Sequence, residues 1–477
     1  MLFNSFQFFV FFLILIPVYF ATPQRFRIWI LLLGSYYFYM CWKWNYIFLI
    51  VGQTCINYYA GYRIGTTDSV KEKRIWLSWA VAFSLGILFF FKYYNFANES
   101  VAALFEAAGV NYLVPHLDII LPVGISFYTF QSLSYTCDVY HGNYGVETNL
   151  PRFATYVSFF PQLVAGPIER ASHLLDQFRR RTHFDIDRAT AGAKLILWGL
   201  FKKVVIADRL AVYVNIVYAN PERYSGTTLA LATVFFAFEI YCDFSGYSDM
   251  AIGSAKVLGY DIMENFRLPY FARSFSEFWR RWHISLSSWF FDYVYKPLGG
   301  NRVTVNFWIA NICIVFLLSG IWHGANWTFF MWGALHAAFY LVEKALGKMR
   351  TRFSSRREVP GWIETPARIL VTFCFVTFAW IFFRAESISD AALIASRIVT
   401  DLGGPLYPGS SQLTTALSVL LILFLAGVQV FQYKGWAPLY FSKSRFPLPV
   451  RWCAYISLVL GIALLGKSSN EFIYFQF

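Results

Sequence analysis

Charge is what this sequence has least of. Only 14% of its 477 residues are Asp, Glu, Lys or Arg, against roughly 25% in a soluble domain, too few to wet a folded surface. Paired cysteines are missing too. Seven Cys, at 41, 55, 137, 242, 313, 374 and 453, lie scattered and mostly within apolar runs. An odd, dispersed set without CxxC gives neither a disulfide framework nor zinc spacing, so no metal site is expected. Walker loop, GxGxxG, HExxH and GxSxG elbow are all absent, which removes the common nucleotide, zinc-protease and Ser-hydrolase chemistries. No repeat, low-complexity tract or soluble domain is visible. The first apolar run, "FNSFQFFVFFLILIPVYFATPQR", lacks a positive n-region, its first basic residue being Arg25 on the far side. It reads as a retained helix with an outside N-terminus rather than a cleaved signal.

What is there is oil. The chain is 57% hydrophobic and 21% aromatic, in runs that match the ~20 residues needed to cross about 30 Å of hydrocarbon. The runs are continuous rather than alternating in ~10-residue segments, which excludes a β-barrel. The expectation is an all-α polytopic membrane protein, a single embedded domain over residues 1–477. Spans are expected at 5–20, 26–42, 44–60, 76–93, 117–135, 191–218, 229–257, 305–322, 325–347, 366–384, 412–431 and 450–466. A shorter piece, 152–166, is expected to dip in and return, and 385–411 is the longest polar connection. The formal charge of +13 sits in short loops between these runs, a topology signal rather than a nucleic-acid surface. From an outside N-terminus, alternation puts the clusters at 71–74, 179–181, 350–356 and 434–451 in the cytoplasm, and the tail 467–477 outside.

Polar residues in such a chain are expensive and therefore informative. Of seven histidines, His116, His141, His173 and His183 fall in or beside polar loops and read as surface. His336 lies inside a span and reads as helix packing. His323, in "LLSGIWHGANWTFFMWGALH" (317–336), sits among Gly320, Gly324 and Asn326 at the junction of two spans. A helix break at membrane depth needs protein or a water-filled cavity to satisfy its freed backbone groups. An imidazole shielded from water is expected to be uncharged, the state a general base requires. The segment 259–304 mixes aromatics with Arg, Lys and His. Helical spacing puts Trp279, Trp282, Leu286 and Trp289 on one face and Ser276, Arg280, His283 and Ser287 on the other, a re-entrant or interfacial amphipathic helix ended by Pro297-Leu298-Gly299-Gly300. Arg280 and Arg281 suit phosphates or headgroups, including an anionic acyl donor such as CoA. In "EIYCDFSGYSDMAIG", Glu239, Asp243 and Asp249 read either as a polar lining paired with nearby Arg residues or as a cation path, which keeps a transporter open as the alternative to an enzyme.

Five stretches, "PVGISFYTFQSLSYTCDVYHG" (122–142), "FFPQLVAGPIER" (159–170), "YCDFSGYSDMAIG" (241–253), "NFRLPYFARSFSEFWRRWHISLS" (265–287) and "SGIWHGANWTFFMWG" (319–333), together resemble the membrane-bound O-acyltransferase (MBOAT) family. The likeness covers about 120–347 and is closest to the bacterial branch that includes the membrane protein of alginate O-acetylation. It implies a helical ring around a central tunnel with re-entrant helices. It also implies His323 as the catalytic histidine and His283 as the second family histidine. Acyl transfer from a thioester to a hydroxyl follows from it, with Asn326 as an accessory donor or orienting group and Ser287 beside Arg280 and Arg281 toward the donor. No bound cofactor is expected; acetyl-CoA is the implied donor substrate. The acceptor is implied to be an extracytoplasmic polysaccharide such as alginate, reached across the bacterial inner membrane with SGNH-type acetyltransferase partners. The tail "SSNEFIYFQF" resembles C-terminal motifs of this branch, which makes Tyr474 a possible covalent acyl carrier. An aromatic membrane anchor is the other reading.

Overall fold

The structure, a computed structural model, describes residues 1–352, 360–409, 411–435, 447–467 and 472–473. Among the described residues every regular element is helical. Six helices are long and apolar enough to cross a bilayer: Val70–Ala107, Gly226–Leu258, Val305–His323, Gly361–Arg384, Gln412–Tyr433 and Leu448–Leu465. The all-α, multi-pass architecture expected from the composition is the one the chain adopts. It packs as two compact units, Met1–Gly192 with Ser254–Met263, and Ala193–Gly253 with Glu264–Phe477.

In the first unit, Phe6–Ala21, Gln24–Met40, Ile47–Thr66 and Val70–Leu88 follow one another with short turns. Interhelical hydrogen bonds, which find no competing water in hydrocarbon, join three of its helices. Asn57 Nδ2 donates to Ser84 Oγ at 3.2 Å, Thr136 Oγ1 to Asn57 Oδ1 at 2.8 Å, and Gln53 Nε2 to Ser132 Oγ at 3.1 Å. The run expected to span 117–135 is helical only from Ile125. Pro122 and Gly124 interrupt it, and Gly124 adopts φ 75°, where a Cβ would lie 2.5 Å from the Leu163 carbonyl oxygen. Asn95 holds the non-helical stretch by bonding both the N–H and the carbonyl of Leu117. The 152–166 piece is two short helices, Leu150–Ser158 and Phe160–Leu163, each far below the ~20 residues a crossing needs.

The second unit is built on Gly226–Leu258, whose most apolar window is 78% buried, whereas that of Leu448–Leu465 is 6% buried and turned outward. The 191–218 run is not one helix: Ile186–Phe201 and Asp208–Tyr218 are joined by a π turn, Lys202–Ala207. Such a turn shifts the helical register, and here both its lysines reach carboxylates. Lys202 Nζ lies 2.8 Å from Asp249, and Lys203 Nζ lies 2.8 Å from Asp208 and 2.5 Å from Asp243. Asp243 also accepts the N–H of Ile473 at 2.7 Å. The 385–411 connection contains a helix of its own, Ile388–Thr400, tied back by Arg397 to the carbonyls of Glu222 and Tyr224.

Candidate active site

Two antiparallel helices, Val305–His323 and Trp327–Arg352, meet at the Trp-His-Gly motif. They approach closely because glycines face the neighbouring backbone. A Cβ on Gly320 would lie 2.3 Å from the Phe329 carbonyl oxygen, and one on Gly333 would lie 2.4 Å from that of Phe316. The break expected at Gly324 is present. Asn326 supplies what the break leaves open, since its Oδ1 accepts the Thr328 N–H at 2.9 Å and its Nδ2 donates to the Glu386 carbonyl at 3.0 Å. Both ends of the amide are thus engaged with backbone, so Asn326 acts on the turn that carries His323 rather than on the imidazole. The His323 ring is 2% exposed and stands edge-on to Trp322 and Trp332, each at 5.0 Å, and to Phe383 at 5.2 Å.

The second imidazole arrives by a route that periodicity did not foresee. The continuous amphipathic helix expected through 276–289 is two helices, Phe275–Trp279 and Ile284–Phe290, with His283 between them at φ 41° and ψ 56°. The cause is a long-range bond. The Ile284 N–H donates to the Asn265 carbonyl at 3.0 Å instead of continuing the helix. His283 therefore turns inward and is 0% exposed, while Arg280 stays exposed. Its Nδ1 lies 3.1 Å from Asn265 Oδ1, and its ring packs edge-on against Phe244 at 4.6 Å. Burial holds this imidazole far below the ordinary histidine range, at about 3, so it is neutral near pH 7.

The His283 and His323 ring centres are 6.4 Å apart. A hydroxyl oxygen hydrogen-bonded to a ring nitrogen at about 2.8 Å lies about 4 Å from that ring's centre. The 6.4 Å separation is compatible with one oxygen about 4 Å from both ring centres.

Two cavities lie near the helices that carry this pair, and neither is lined by His283 or His323 themselves. One of about 670 Å³ is lined by Lys296, Asn301 and Arg302 together with Trp279, Ser287 and Ser319. Ser319 lies one helical turn before His323, and the Ser287 N–H donates to the His283 carbonyl at 2.9 Å, so the wall of this cavity is one turn from each histidine. The second, about 730 Å³, gathers Arg280, Lys344 and Arg368 and shares Asn301 with the first. Of the expected donor contacts, Ser287 and Arg280 line these cavities. Arg281 pairs with Glu277 at 2.6 Å and holds its own segment.

The remaining polar residues sort themselves. His116, His141, His173 and His183 are exposed, as read from their loops. His336 is buried between Trp332 at 4.8 Å and Trp279 at 4.9 Å. Asp243 and Asp249 are paired, but with Lys203 and Lys202 rather than with arginines. The sequence reading passed over these two lysines, although adjacent cations inside an apolar run were the available signal. It also passed over Asn265. Among the described residues no group of three His, Cys, Asp or Glu gathers to hold a metal ion. Tyr474 lies outside the described residues.

Comparison with known proteins gives this site its setting. Residues 144–385, which include both histidines, match the sequence model of MBOAT, the membrane-bound O-acyltransferase family. The probable alginate O-acetylase AlgI of Azotobacter vinelandii is 41% identical over 82% of this chain and 76% of its own length. That of Pseudomonas putida is 36% identical across 100% of both chains. The peptidoglycan O-acetyltransferase of Helicobacter pylori is 34% identical over 81% of this chain and 76% of its own. Likeness of this depth along most of its length leaves one assignment: the chain belongs to the membrane-bound O-acyltransferase family and is a multi-pass membrane O-acyltransferase.

Proposed function

We propose that this enzyme moves acetyl groups from a cytoplasmic thioester, acetyl-CoA, across the bacterial inner membrane for O-acetylation of an extracytoplasmic polysaccharide, alginate being the first choice. The observation that carries the reading is the pair of buried imidazoles 6.4 Å apart, each one helical turn from the wall of a cavity with a basic lining. His323 takes the proton of the attacking hydroxyl as its oxygen bonds to the thioester carbon. As the tetrahedral intermediate collapses, the C–S bond breaks and the proton passes to the departing thiolate. Arg280, Lys344 and Arg368 supply charge for the phosphates of a CoA-type donor. The names of the alginate O-acetylases and the peptidoglycan O-acetyltransferase support a polysaccharide acceptor. Partner acetyltransferases of the SGNH type and extracytoplasmic termini complete the proposal.

Proteoliposomes incubated with labelled acyl-CoA, followed by mass mapping of every acylated product, test this reading. Label on an added glycan or on Tyr474 is the expected result, and label on Tyr474 alone would identify a carrier route. A transporter would instead change ion or solute flux and leave the thioester intact. The lysine pairing of Asp243 and Asp249 removes two of the three carboxylates that such a path would use.

A further inference from the structure

His283 occupies a backbone conformation that a glycine would adopt without strain. At φ 41° and ψ 56° a side chain is strained relative to the right-handed region, and such strain persists where the surroundings over-determine it. Those surroundings are one residue, Asn265. Its carbonyl takes the Ile284 N–H, and its side-chain oxygen, itself buried, is met by three groups: His283 Nδ1 at 3.1 Å, the Ser285 N–H at 3.2 Å and Ser285 Oγ at 3.0 Å.

The backbone N–H of Ser285 can only donate, so the atom of Asn265 that faces it is the oxygen and not the amide nitrogen. That orientation leaves Asn265 Nδ2 buried with no hydrogen-bond partner among the described residues. An unmatched buried donor is unfavourable, yet the acceptor is the end turned toward His283. An oxygen meets Nδ1 favourably only if Nδ1 carries the proton. In a neutral imidazole the other nitrogen then holds the lone pair.

We propose that Asn265 is a positioning residue that locks His283 in the Nδ1–H tautomer. Nε2 of His283 then carries the lone pair, so His283 can meet substrate only as a hydrogen-bond acceptor and stabilises no oxyanion through an Nε2–H donor. The assignment deepens the acyl-transfer reading and rests on it for the identity of that substrate.

The test is ¹⁵N spectroscopy of histidine-labelled full-length protein in lipid nanodiscs, with the His283 signals identified by difference from His283→Gln. The expected spectrum shows protonated Nδ1 and bare Nε2 at neutral pH. Asn265→Leu should release that tautomer and lower turnover by about 100-fold, the order of loss for a displaced group at the site. Asn265→Asp keeps an acceptor and should keep the tautomer, with the acidic limb of the pH–rate profile moved to higher pH; it covers the case in which the leucine variant does not fold. A wild-type spectrum with Nε2 protonated overturns the proposal, as does an unchanged tautomer in Asn265→Leu. The predicted tautomer together with full transfer by His283→Ala would support the positioning role while removing His283 from the chemistry, so the two failures are separable.

Discussion

Replacing Gly320 by alanine should disable the enzyme without unfolding it. The new methyl carbon would lie 2.3 Å from the Phe329 carbonyl oxygen, whereas a carbon–oxygen contact needs about 3.3 Å. About 1 Å must therefore open between the two helices. The obstructing atom is backbone, so no side chain can swing aside. His323 is on the next turn of the same helix, while His283 is held by a different segment, so the spread changes the spacing between the two imidazoles. A displacement of about 1 Å in a catalytic group costs on the order of 100-fold in rate. Folding suffers less: overpacking costs about 1–3 kcal/mol, and replacing a helical glycine by alanine returns about 1 kcal/mol. The assay is turnover of labelled acetyl-CoA in proteoliposomes containing matched amounts of monomeric protein. Gly427→Ala, in Gln412–Tyr433 with nothing within 4 Å of its Cβ, is the control and should be fully active. Wild-type turnover in Gly320→Ala would show that the separation of these helices does not set the reaction geometry.

Three further outcomes follow from the same geometry. Lys203→Met strands Asp208 and Asp243 and should cost about 3–5 kcal/mol, seen as a lower melting temperature in micelles. The triple variant Lys203→Met, Asp208→Asn, Asp243→Asn should recover most of that loss, and equal melting of the two variants would contradict the ion-pair account. Arg280→Ala combined with Arg368→Ala should raise KM for acetyl-CoA about ten- to hundredfold with kcat little changed; a change in kcat alone would exclude that cavity as the donor site. His283 is about 3 when folded and about 6.5 when unfolded, so its stability contribution is complete above pH 6.5 and is lost as pH falls toward 3. At pH 5 the loss is about 2 kcal/mol, and parallel melting curves against pH for wild type and His283→Gln would rule it out.

Much of this was legible in the residues. Six of the twelve expected spans coincide with helices long and apolar enough to cross a bilayer, and Gly320, Gly324 and Asn326 marked the break at His323. The failures have physical causes. The 117–135 run was long enough to span, but Pro122 and Gly124 outweighed its hydropathy. Helical spacing through 276–289 placed His283 beside Arg280, because periodicity cannot register the bond from the Ile284 N–H to the carbonyl of Asn265, nineteen residues upstream. The Lys202 and Lys203 pairs needed a π turn to form, and no local pattern announces one.

The most direct measurement is single-turnover acyl transfer by purified wild type and His323→Ala, both saturated with labelled acetyl-CoA and supplied with an alginate oligosaccharide. The account predicts ester formation by wild type and a loss of at least about 100-fold in the variant, with donor binding intact. Undiminished ester formation without the His323 imidazole would contradict it.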